Sequence, residues 1–151
     1  MRRLLTVILL ALATAGCMGD DDNGGSREDY VAKADGICGD YQVRLSRLPR
    51  PRTADPAELA AYLDRALPIA REQLEKLKDV RKPAGDTDKQ DVERLLALLD
   101  QELDLNEAAQ KAAAAGDTAA AESDLQQAAP ISAQSNQLAE QLGFVVCARR
   151  A

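Results

Sequence analysis

The sequence has no His and no Trp, one Phe, three Tyr and three Cys among 151 residues. Without imidazole there is no Ser-His or Cys-His nucleophile pair, no His-ligated zinc or haem, and no Glu-x-x-His di-iron site. Few aromatics leave little to stack on a sugar. The carboxylates fall mostly on polar helix faces, often four residues before a Lys as in Glu72 with Lys76 and Glu107 with Lys111, rather than facing each other across a cleft as glycoside hydrolysis requires. A net charge of -6 argues against nucleic acid, whose phosphates need a basic footprint. The residue content therefore points away from an enzyme and calls for no cofactor or metal. One ordinary domain is expected from the length.

What is present begins with an address. Met1-Arg2-Arg3 precedes Leu4 to Gly16, an uncharged run of 13 residues. That run is short of the about 20 a membrane-spanning helix needs and fits a secretion signal instead. Two cleavage sites compete. Ala13-Thr14-Ala15 satisfies the small-x-small rule of ordinary signal peptidase, whereas Ala15-Gly16-Cys17 resembles a bacterial lipobox, with Thr14 where Leu is usual. In the second reading residues 1–16 are removed and Cys17 becomes the lipid-modified first residue. Cysteine parity favours it: outside the cytosol three thiols leave one unpaired, and acylating Cys17 leaves Cys38 and Cys147 as a pair. The expected location is thus extracytoplasmic, anchored to the cell membrane through an N-terminal lipid. Residues 17–26 are almost devoid of apolar side chains and read as a flexible tether. Asp20, Asp21 and Asp22 lack the spacing and distal Glu of an EF-hand loop. Loss of Arg2 and Arg3 leaves 17 basic against 25 acidic groups in the mature chain.

Residues 27–151 read as an all-α domain, an antiparallel up-down four-helix bundle with a C-terminal Cys tail, stapled by one disulfide. The first segment runs from about Arg27 to Leu48, capped by Ser26 and closed before Pro49, with Tyr30, Ala34, Ile37, Tyr41, Leu45 and Leu48 on one stripe. Pro49-Arg50-Pro51-Arg52 is an extended connector. The second starts with Asp55 as cap, Pro56 at the first position and Glu58, and ends near Val80. The third runs from Asp86 or Asp88 to Ala115, and the fourth from Asp117 or Thr118 to Leu142-Gly143. Pro68 and Pro130 lie inside the second and fourth segments, where each should kink its helix. The stripes are rich in Ala and Ser, so the core is thin for its length and a covalent staple makes sense. A bond between Cys38 and Cys147, 109 positions apart, would contribute about 4–5 kcal/mol in the chain-entropy model. With no CxxC partner the pair reads as structural. These periodicities are shared by a helix-swapped dimer and leave the oligomeric state open.

Tyr30-Val31-Ala32-Lys33-Ala34-Asp35-Gly36-Ile37-Cys38 near the mature start, with Leu142-Gly143 and Cys147 at the end and a break at Ala115-Gly116-Asp117, resembles small helical lipoproteins common in actinobacteria. An excess of Arg over Lys, 13 to 6, suits such a GC-rich source. The resemblance implies a surface-anchored helical bundle and carries no activity with it.

Three features invite a functional reading. Lys76, Lys78, Arg81 and Lys82, with Arg149 and Arg150, are expected at the pole nearest the anchor, where they could face an anionic membrane or simply complement helix dipoles. Asp100, Asp104 and Glu107, with Glu93, Glu102, Glu122, Asp124 and Glu140, are expected to form an outward acidic flank. Ser132 and Ser135, near Pro130, either line a polar pocket or bond to the preceding turn. The leading expectation is a non-catalytic interaction or scaffold module at the cell envelope, with an envelope protein as partner. The alternative is a lipoprotein that binds a small ligand between kinked helices two and four.

Overall fold

The computed structural model describes residues 25–53 and 55–149. The expected signal peptide, Cys17, nearly all of the tether and Arg150 lie outside the described residues. Four helices follow one another, α1 (Arg27–Ser46), α2 (Pro56–Asp79), α3 (Asp86–Ala114) and α4 (Thr118–Leu142). They pack as an all-α, antiparallel, up-down bundle stapled by a disulfide between Cys38 and Cys147, with Cα atoms 5.3 Å apart. No helix among the described residues is long and apolar enough to cross a membrane.

The helix ends form where side chains satisfy the first N–H groups. Ser26 Oγ accepts from Asp29 N, Asp55 from Ala57 N, and Asp117 from Ala120 N, while Gly85 precedes α3 without a side-chain cap. Glu58 reaches back to accept from Arg52 N and Thr53 N, tying down the connector rather than its own cap. Gly116 and Gly143 have φ of 77° and 95°, the left-handed turn that ends α3 and α4. Pro68 and Pro130 are both exposed, and each helix continues through its proline, because the carbonyl left unbonded faces water.

Neighbours in sequence are neighbours in space: α3 packs along both α2 and α4, and α1 packs along α2. Direct contact between α1 and α4 is slight. The segment after Gly143 occupies that seam instead. Phe144 N donates to Ala139 O and turns the chain back. The Phe144 ring then meets Tyr30 edge to face at 6.1 Å. Asp35, one turn before Cys38, accepts three successive backbone N–H groups from Val145, Val146 and Cys147 at 2.8, 3.0 and 2.8 Å. Docking of the tail on this face buries Cys38 fully and leaves its neighbour Ile37 half-buried, a small rotation from the expected stripe. The main core holds Tyr30, Val92, Leu95, Leu103, Leu142 and Phe144. At the other end Ala60, Ala113 and Ala121 pack the three longer helices closely.

With the disulfide intact, Asp35→Ala should lower stability by about 2–3 kcal/mol, since three hydrogen bonds to one carboxylate are lost. Replacing Cys38 and Cys147 by Ser should cost about 4–5 kcal/mol. Urea midpoints of the two variants measure both losses, and an Asp35→Ala midpoint equal to wild type would remove the carboxylate from the account.

Candidate functional site

α1 has 20 residues and α3 has 29, so α1 stops about 13 Å short of its neighbour. The described tail docks on α1 from Asp35 to Gln42 and not on its last turn, where Leu45 and Ser46 line an opening. The result is a cavity of about 450 Å³ between α1, α2 and α3, within the ~300–1,000 Å³ range of small-molecule sites. Its closed end is formed by buried Tyr30, Leu77, Cys38 and Phe144. Its walls carry Leu67, Ala70 and Leu99, half-buried although they lie on the inner stripes of their helices. Its mouth lies where α1 ends, with Gln42, Ser46, Arg50, Tyr62, Glu102 and Asn106 around it. α4 contributes Ala139 alone among the described lining residues, and neither Pro68 nor Pro130 lines the cavity. A site between helices two and four, as the prolines suggested, is therefore not where the cavity opens.

The expected basic pole is divided. Lys78 pairs with Glu75 at 3.0 Å and Asp100 at 3.6 Å, and Lys82 with Glu93 at 3.1 Å. The carboxylates raise the Lys78 pKa, Glu75 foremost through its hydrogen bond. Lys76 and Arg81 are exposed at the same end of α2. Arg149 lies elsewhere, because Gln42 donates to both Val146 O and Arg149 O, which brings the end of the tail beside the cavity mouth.

The acidic flank is also rearranged. Arg71 on α2 reaches Asp100, Asp104 and Glu107 on α3 at 3.0, 3.1 and 2.6 Å. Hydrogen bonds to Glu107 and then Asp104 raise the pKa of Arg71, so it stays charged. Three carboxylates expected to face outward thus hold α2 against α3. Glu72 likewise turns to α1 rather than along its own helix to Lys76: Tyr41 Oη donates to it at 2.6 Å and Arg44 at 2.9 Å. Arg44, with Tyr41 next, lowers the Glu72 pKa. The Arg44 guanidinium also sits 4.6 Å over the Tyr41 ring. Arg reaches across the helix–helix seam with several donors, which a local Lys four residues away does not match.

Ser135 is fully buried and donates to Ser132 O at 2.9 Å, the back-bonded arrangement rather than a pocket wall. Among the described residues no three Cys, Asp or Glu side chains converge as metal ligands. The cavity and its Arg50 went unread from sequence, because they arise from unequal helix lengths and a folded-back tail rather than from any motif. No family model, curated protein or solved structure matches this chain.

Tyr30 offers a test of the closed end. Burial pushes its phenol from the ordinary 10.0 up to about 12. Its contribution to stability is whole below pH 10.0 and is lost as pH rises through about 12, since the unfolded chain ionises first. Denaturant titrations across this window should show an alkaline loss that Tyr30→Phe diminishes; an identical slope in both proteins would place Tyr30 in water.

Proposed function

We propose that the chain is an extracytoplasmic, lipid-anchored helical bundle that binds a small apolar molecule in the cavity between α1, α2 and α3. One observation carries the ligand reading: a cavity of about 450 Å³ walled by aliphatic side chains and rimmed by a few polar ones. A scaffold role through an acidic face is less favoured, because Arg71 already engages Asp100, Asp104 and Glu107. The anchor reading rests on the apolar run before Ala15-Gly16-Cys17 and on the Cys38–Cys147 bond, which leaves Cys17 as the odd thiol. A structural disulfide in turn suits an oxidising compartment outside the cytosol.

A ligand held at 100 times its dissociation constant should stabilise the domain by roughly 2.7 kcal/mol, seen as a rise in Tm in a screen of lipids and apolar metabolites. Ala70→Phe, which places a ring into the cavity, should abolish that rise while changing the ligand-free Tm little, because overpacking of about 1–3 kcal/mol applies only where space is already filled. A full panel without a hit in wild type would remove the ligand reading. The anchor is tested by the intact mass of protein from its native membrane. A diacyl or triacyl increment on Cys17 is expected, and an unlipidated chain starting at Gly16 would make the protein diffusible.

A further inference from the structure

We infer that the cavity takes the alkyl chain of an anionic amphiphile, with the charged headgroup held at its mouth by Arg50 and by Arg47 and Arg149 beside it. This rests on the ligand reading above and adds the class of ligand.

The lining residues follow α1 from Ser46 at the mouth to Tyr30 at the closed end, about 24 Å at 1.5 Å per residue. Polarity changes along the same axis. The far end is Tyr30, Leu74, Leu77 and Phe144, all buried, whereas the polar side chains other than Gln73, which donates to Cys38 Sγ, gather at the exposed end. A molecule matched to this gradient has a long apolar body and one polar terminus.

The sign of that terminus follows from the charges outside the mouth. Arg50 and Glu102 both line the opening, so the rim alone is balanced. Beyond it Arg47 and Arg52 are exposed on the same connector, and the tail brings Arg149 alongside Gln42. Arg52 faces the carboxylate of Glu58, but Arg47, Arg50 and Arg149 form no ion pair among the described residues, whereas Arg44, Arg71, Lys78 and Lys82 all do. The carboxylate nearest the connector in sequence, Glu58, accepts from the backbone of Arg52 and Thr53. The surroundings of the mouth are therefore positive on a domain whose overall charge is negative. A carboxylate or phosphate at the end of an alkyl chain matches guanidinium donors in geometry and charge.

Calorimetric titration of the oxidised full chain with dodecanoate, dodecanol and dodecyltrimethylammonium, each below its micellar concentration, separates the possibilities. Dodecanoate should bind at least about tenfold more tightly than the cationic probe. Affinity across a series of shorter and longer carboxylates should rise about fourfold per added methylene until the cavity is full. The triple variant Arg47→Gln, Arg50→Gln, Arg149→Gln, all exposed positions, should weaken dodecanoate about tenfold and leave dodecanol and the Tm unchanged. Equal affinity for the three headgroups, or a triple variant that binds dodecanoate like wild type, overturns the anionic headgroup while the ligand reading stands. Affinity independent of chain length overturns the buried alkyl chain. Failure of every alkyl probe to bind overturns the inference and the ligand reading together.

Discussion

The structure depends on one carboxylate holding a strand of backbone. Asp35 collects the N–H groups of Val145, Val146 and Cys147, and the sulfur bridge to Cys38 lies one helical turn further on. Without this dock α1 would rest on α2 alone, since its contact with α4 is slight. The tail supplies what a closed four-helix bundle takes from its first and fourth helices: Phe144, Cys147 and Ala148 are all buried in the seam between them. The disulfide and the carboxylate act on different parts of the equilibrium. The bridge restricts the unfolded chain across nearly its whole domain, whereas Asp35 specifies in the folded state how the tail lies. A long loop closure gives no orientation by itself, and three hydrogen bonds to one group do.

The cavity is a consequence of that device. The described residues of the tail lie beside Asp35, Cys38 and Gln42, and among them none packs against α1 toward Ser46. Sequence-adjacent packing of α2, α3 and α4 continues beyond the end of α1, where Ala60, Ala113 and Ala121 allow close approach. Large side chains at those positions would have spread the helices; small ones close the bundle below the mouth and leave the opening at the side. The same unequal lengths that make α1 dependent on the tail thus produce a pocket with one wet end.

Much of this was legible in the sequence because the signals were local. Ser26, Asp55-Pro56, Asp117 and the glycines at 116 and 143 mark helix ends through interactions spanning three or four residues, and the observed boundaries follow them. Cysteine parity taken together with the lipobox reading of Cys17 pointed to Cys38 with Cys147, the pair that forms. What was not legible depends on distant register. Asp35 is a half-buried acid on a helix, indistinguishable from a solvated one until residues 110 and more positions away fold onto it. Glu72 and Glu107 have Lys residues four positions on, which suggests local pairs, yet Arg44 and Arg71 reach them across the seams. The prolines invited a kinked site between α2 and α4; both face outward, and the cavity formed elsewhere.

Those cross-helix pairs also explain where charge remains available. Along the seams an arginine finds carboxylates presented by a rigid neighbour at fixed height, so Arg71 and Arg44 are consumed in holding helices together. The connector offers no such opportunity. Pro49 and Pro51 prevent Arg50 and Arg52 from joining either helix, and the nearby Glu58 is held by backbone N–H groups and faces Arg52 rather than Arg50. Arg50, on an extended segment beside the opening, forms no ion pair among the described residues, although Glu102 lines the same rim. The positive character of the mouth is thus not a matter of how many arginines the protein has. It follows from which of them the helical register leaves unmatched.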